Sequence, residues 1–124
     1  MTLYNNRKQQ GRLDVKEART PKDFFEKVLP DRFKPDKAAG IDITVQIKIT
    51  GPNGGDWIVI IKNQKLEVKE GIHSSPTLSL DMTEANYMDL VNGELSGEKA
   101  FLAGKLRFKG NIALALKLRE TGFL

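Results

Sequence analysis

Polar and apolar positions alternate most regularly at Ile41-Asp42-Ile43-Thr44-Val45-Gln46-Ile47-Lys48-Ile49-Thr50. A period of two places every apolar side chain on one face, so this stretch predicts a half-buried strand with antiparallel partners. Gly51-Pro52-Asn53-Gly54-Gly55 reads as a turn. Beyond it, Trp57-Ile58-Val59-Ile60-Ile61 is apolar at every position, as a strand covered on both faces would be. Leu66-Glu67-Val68 after Asn63-Gln64, and Leu78-Ser79-Leu80-Asp81-Met82 after Pro76, continue the alternation and predict an antiparallel meander of four strands. Helical spacing brackets this block. Thr20-Pro21-Lys22-Asp23 supplies an N-cap, a first-turn proline and a capping acid, and Phe24, Phe25, Val28 and Leu29 then recur at helical intervals until Pro30 should stop the helix. Thr83 caps a helix carrying Tyr87, Met88, Leu90 and Val91 up to Gly93, and Ser96 caps another through Ala100, Phe101 and Leu102 to Gly104. Lys105 to Lys109 alternates as a fifth strand closed by Gly110, and Asn111 caps a last helix from Ile112 to about Arg119. Strands and helices segregated in this way predict a single α+β domain over residues 20–124: a five-stranded, mainly antiparallel sheet with helices packed on one face. Residues 1–19 are polar and basic and read as an N-terminal arm.

Two elements carry more apolar surface than a small domain needs. The last helix, Ile112-Ala113-Leu114-Ala115-Leu116-Lys117-Leu118, is apolar nearly all round. A surface helix should show a polar face, so its far side calls for an apolar ligand, a partner chain or a lipid surface. Ordinary packing, with Ala113 and Ala115 left in water, satisfies the same pattern. The strand at Trp57 needs apolar material on both faces, either a covering segment or an apolar cavity.

Charge and composition narrow the chemistry. Twenty Lys and Arg against sixteen Asp and Glu give a net charge of +4, which favours anionic partners mildly. Lys105, Arg107 and Lys109 share one face of their strand, a row of cations that suits a phosphate, an anionic membrane or plain solvent. Cysteine is absent and His73 is the one histidine, so thiolate chemistry is excluded and imidazole chemistry would rest on a single loop residue. Gly93-Glu94-Leu95-Ser96-Gly97 lacks Ser at the central place of a nucleophile elbow, and Gly51-Pro52-Asn53-Gly54-Gly55 lacks the Lys and Ser/Thr of a phosphate-cradling loop. Asp81 and Glu84 read as a strand-end acid and a first-turn helix acid. Catalytic residues, metal sites and cofactors are therefore not expected. No apolar run reaches the roughly 18 residues of a membrane span, the start has no secretory apolar region and the end is not an S-K-L address, so a cytoplasmic location is expected.

The stretch Leu90-Val91-Asn92-Gly93-Glu94-Leu95, then Ala100-Phe101-Leu102-Ala103-Gly104-Lys105-Leu106-Arg107-Phe108-Lys109-Gly110-Asn111, then Ala113 to Leu118 closely resembles the C-terminal half of sterol carrier protein 2 domains. Upstream, a tryptophan strand after a Gly-rich turn, a Thr-Leu-Ser-Leu strand and a capped helix extend the resemblance over roughly residues 20 to 118. The resemblance implies a sheet and helices enclosing an apolar tunnel, and non-catalytic binding and transfer of fatty acids, fatty acyl-CoA, phospholipids or sterols. It further implies that Trp57, Val59, Phe101, Leu102, Phe108, Leu114 and Leu118 lie near the tunnel. Lys105, Arg107 and Lys109 are candidates for a headgroup or CoA phosphate and for transient contact with an anionic membrane. The terminal segment that helps close the tunnel in some members is short here after Leu118, which leaves the size of the opening and of the ligand undetermined. An accessory protein-interaction module using the apolar C-terminal helix is the alternative, with a dimer as one form. A nucleic-acid partner is not expected, because the stretch around Phe108 lacks the paired aromatics of an RNA-binding strand.

Overall fold

The computed structural model describes residues 18–121, so all of the arm expected at 1–19 except Ala18 and Arg19 lies outside the described residues. Ala18 is clamped to the body: its N–H donates to Asn92 Oδ1 at 2.9 Å, and Asn92 Nδ2 donates to the Ala18 carbonyl at 2.9 Å. The Thr20 hydroxyl accepts from the Asp23 N–H at 3.1 Å and starts a continuous helical segment. It is built from α1 (Pro21–Asp23), a π-helical turn (Phe24–Val28) and α2 (Leu29–Arg32). The segment thus runs past Pro30, where the sequence predicts a stop. A helix-interior proline lacks a donor, and its ring collides with the carbonyl four residues back. The wide turn immediately before it, with the Leu29 N–H bonded to the Phe24 carbonyl, relieves that conflict and keeps the chain helical. A 3₁₀ turn (Pro35–Ala38), which no sequence pattern announced, follows and buries Ala38.

Strict alternation does what it should in β1 (Ile43–Thr50): Ile43, Val45, Ile47 and Ile49 are buried under the helices. β2 (Gly55–Lys62) returns antiparallel with Trp57 opposite Ile47, and β3 (Lys65–Glu70) follows through Asn63 and Gln64. Both turn residues have positive φ, 53° and 60°, as a two-residue hairpin turn requires.

The expected meander of four stops at three strands. β4 (Leu78–Thr83) lies on the other side of β1 and parallel to it, giving the order β3-β2-β1-β4-β5. Gln46, on the face of β1 turned away from the helices, explains the route. Its Nε2 donates to the carbonyls of Trp57 (3.2 Å) and Gly71 (3.0 Å), and its Oε1 accepts the His73 N–H at 2.7 Å. The loop after β3 is thereby held across the outer face, over Gln46 and beside Ile58, before Thr77 bonds Thr44 and β4 begins. The same loop answers the second-face question raised by the Trp57 strand. Trp57, Val59 and Ile61 join the helix-side core, while Ile58 is buried on the crossover side and Ile60 is half-buried.

Three capped helices and a short edge strand complete the layer. α3 (Glu84–Val91) starts at Thr83, whose hydroxyl accepts from the Asn86 N–H, and α4 (Gly97–Leu102) starts at Ser96, which accepts from Lys99. β5 (Arg107–Lys109) is shorter than its alternation suggests, because the N–H groups of Lys105 and Leu106 still bond the Ala100 carbonyl at the end of α4. Asn111 Oδ1 accepts from the Ala113 N–H at 2.8 Å and opens α5 (Ile112–Glu120). At the centre of the helix-side core Phe25 stacks between Trp57 and Tyr87, with ring centroids at 4.8 and 5.7 Å, and Phe24 meets both Phe25 and Tyr87 edge-on. Each such aromatic pair adds about 0.5–1.5 kcal/mol beyond area burial.

Candidate functional site

An apolar cleft opens on the helix side of the β4–β5 edge. Leu80 and Phe108, directly opposite each other in the ladder, form its floor. Gly97, Glu98 and Phe101 of α4 and the following Leu106 form one wall. Ile112, Ala115, Leu116 and Arg119 form the other, at the i, i+3, i+4, i+7 spacing of a single face of α5. The cleft encloses about 120 Å³. That is below the roughly 300–1,000 Å³ of pockets that take up whole small ligands, so as it stands it accommodates part of one. Its lining is almost entirely carbon, and Glu98 and Arg119 are the two charged residues that border it. Arg119 Nη1 donates to Glu98 Oε1 at 2.7 Å, joining α5 to α4.

The rim is apolar as well. Phe101 (49%), Leu102 (83%), Ile112 (60%) and Leu116 (48%) retain large fractions of their surface in water. Both readings of the last helix therefore apply to parts of it: Ala113 sits in solvent, whereas Ile112 and Leu116 form an exposed stripe with no cover among the described residues. Leu118 on the opposite side is 2% exposed and belongs to the core, with Leu114 half-buried against it.

Of the seven residues singled out for a tunnel, the structure brings Phe101 and Phe108 into the cleft and leaves Leu102, the last residue of α4, exposed and outside the lining. Leu114 and Leu118 pack inward, and Val59 and Trp57 sit deep in the core over β2. Trp57 also borders a separate hollow with Phe25, Pro30 and Leu66 at the β3 edge. The three cations divide. Arg107 and Lys109 stand opposite Asp81 and Ser79 in the ladder, on the sheet face turned away from the cleft, while Lys105 precedes the strand. Lys105 and Arg107 flank a shallow hollow with Asp81 and Asn86. Sequence reasoning passed over Leu80, Ala115, Glu98 and Arg119. The α5 spacing could have placed Ala115 and Arg119 beside Ile112 and Leu116, but nothing local pairs residues 98 and 119.

Among the described residues no three His, Asp or Glu side chains come together as metal ligands. His73 serves its own loop, its Nδ1 accepting the Ser75 N–H at 3.0 Å. Tyr87 is wholly buried and its hydroxyl has no partner; burial holds its pKa well above the usual value, against a smaller opposing pull from the Arg32 charge.

Comparison with known proteins fits this architecture. The model of the SCP-2 sterol transfer family matches residues 22–121. The chain belongs to the SCP-2 sterol transfer family. This SCP-2 domain is 28% identical over 95 residues to hydroxysteroid dehydrogenase-like protein 2 of Rattus norvegicus, covering 76% of the chain and 18% of that relative. It thus spans about a fifth of the curated relatives it matches. Among solved structures it superposes on the solution structure of palmitated SCP2L2 from Aedes aegypti, with a TM-score of 0.58 and 23% identity, covering 86% of this chain and 96% of that one. It also superposes on the sec-alkylsulfatase Pisa1 from Pseudomonas sp., with a TM-score of 0.70 and 23% identity, covering 84% of this chain and 16% of the enzyme. At such identities the likeness is one of fold, and the SCP-2 sheet with its helices is the fold seen here. Lipid binding and transfer come with the family, whose domain also stands beside enzymatic parts in longer proteins. Among the described residues no helix is long and apolar enough to cross a membrane.

Proposed function

We propose that this SCP-2 domain binds one long-chain lipid without catalysis, takes its hydrocarbon tail into the cleft between α4, β5 and α5, and exchanges it with an anionic membrane surface. The observation that carries the reading is the cleft itself: a carbon-lined opening on the helix face, bordered by exposed Phe101, Ile112 and Leu116. Moving a chain from water into such a site yields about 0.8 kcal/mol per buried CH₂. The likeness to a palmitated relative supports an acyl ligand; fatty acids, fatty acyl-CoA, phospholipids and sterols all present the required apolar body.

Phe101 and Phe108 touch the tail directly in this reading. Leu114, Leu118, Val59 and Trp57 are the packed interior into which the cleft would deepen as a longer chain enters. None of Lys105, Arg107 and Lys109 lines the cleft: Arg107 and Lys109 face the other side of the sheet, and Lys105 borders a separate hollow with Arg107, so in this reading the row meets anionic membrane headgroups and not the polar end of a lipid in the cleft. Displacement of a fluorescent fatty acid, with native mass spectrometry of the gently purified chain, tests the reading. Binding at micromolar concentration is expected, and Leu116→Glu, at a half-exposed position that tolerates charge in the folded state, should weaken it at least about tenfold by putting a carboxylate in the lining. Absence of binding for every acyl lipid and sterol tried at that concentration would refute it.

A further inference from the structure

We propose that Arg119 reads the charge of the ligand's polar end and that Glu98 is its built-in competitor, an inference that rests on the lipid-binding reading of the cleft. A tail lying on Leu80 and Phe108 cannot bring an ionised group with it, because the carbon lining offers nothing to solvate a charge. The polar end must stay at the rim, and the rim holds one cation among the lining residues, Arg119. That guanidinium already grips a carboxylate there: Glu98 Oε1, at 2.7 Å from Nη1 and contributed by the opposite wall. Glu98 thus marks where a ligand carboxylate would sit. Guanidinium carries five donors in a planar fork that fits a carboxylate two bonds at a time, so a fatty-acid head can replace Glu98 or share the fork with it.

Exchange of one carboxylate for another leaves the charge count at Arg119 unchanged, so the intact protein should prefer an acid over its neutral ester only slightly. Removing each partner shifts that preference in opposite directions. Glu98→Gln leaves Arg119 without a competitor, and Arg119→Gln leaves an unpaired Glu98 that repels an anion. Both side chains are largely exposed, 69% and 46%, so neither change disturbs the core.

The test compares dodecanoate with methyl dodecanoate at neutral pH, where the acid is ionised, by displacement of a neutral alkyl fluorophore from the full chain. Relative to the unaltered protein, the acid-to-ester affinity ratio should rise roughly two- to fivefold in Glu98→Gln and fall by a similar factor in Arg119→Gln, the scale of a partly exposed ion pair. Affinity for the ester should stay within about twofold throughout, which also reports that the cleft is intact. A ratio that is the same in all three proteins, or that moves the same way in both variants, overturns the assignment of Arg119 while leaving the lipid reading in place. Failure of the unaltered protein to bind either compound removes both.

Discussion

Tyr87 is the residue whose environment is least like its chemistry. Its ring is fully buried and packs against Phe24 and Phe25, yet its hydroxyl is buried with it and has no hydrogen-bond partner among the described residues. A buried hydroxyl left unpaired costs about 1–3 kcal/mol, so Tyr87→Phe, which keeps the ring and deletes the hydroxyl, should raise the unfolding free energy by about 1 kcal/mol in urea titration. The pH dependence has a definite sign. Burial raises the folded-state pKa above the unfolded value near 10, so the folded chain retains a proton that the unfolded chain releases. Tyr87's contribution is therefore whole below about pH 10 and declines as pH rises beyond it towards the folded pKa. Other groups titrate in that range too, so the difference between the parent protein and Tyr87→Phe is the measure. Stability should fall more steeply above pH 10 in the parent; parallel curves would mean that Tyr87 finds a partner in solution.

At the level of elements, what could be read in advance was what neighbours along the chain decide. Thr20, Thr83, Ser96 and Asn111 cap their helices as their positions suggested, because a cap joins a side chain to an N–H two or three residues on. The alternation in β1 set its buried face for the same reason. One further feature was also local, a turn that widens just ahead of a proline, and the others depended on partners far away in sequence. Pro30 continues a helix because a π turn widens ahead of it. β4 pairs with β1 because Gln46 holds the crossover loop. The Glu98–Arg119 contact spans two helices that no local pattern links. The apolar surplus of α5 was visible, but which of its sides met the core was not; the structure gives Leu118 to the core and Ile112 and Leu116 to the cleft. Asn111 governs that presentation. Asn111→Ala deletes the bond to the Ala113 N–H and should cost about 1 kcal/mol, concentrated in the first turn that carries Ile112. Amide exchange should quicken in that turn ahead of the sheet, and fatty-acid affinity should drop several-fold. Asn111→Asp, which keeps the acceptor and adds a favourable charge at the helix start, should restore both. If exchange quickens equally everywhere, the cap supports global stability and has no special hold on the cleft wall.

For the whole molecule the question is what covers the exposed apolar rim when a lipid enters or leaves. Lys99, Lys105 and Lys117 are exposed on the same segments that carry Phe101, Leu102, Ile112 and Leu116, within a chain of net charge +4. Apolar side chains beside cations suit a bilayer surface with anionic headgroups, where each Lys contributes about 1 kcal/mol and the apolar groups enter the interface. On the proposed function, transfer of a fluorescent fatty acid to vesicles should therefore speed up as phosphatidylserine replaces phosphatidylcholine. Salt should reverse the gain, since at 1 M the screening length shrinks to about 3 Å. Leu102, 83% exposed and outside the core cluster, separates docking from binding. Leu102→Ser should leave stability and the affinity for free fatty acid nearly unchanged while slowing transfer several-fold, because the lost apolar contact belongs to the membrane encounter. A transfer rate indifferent to both vesicle charge and Leu102→Ser would mean that lipid leaves through water. A rate that instead falls as protein concentration rises, with a matching increase in molecular mass by light scattering, would show that a second copy of the chain covers the rim.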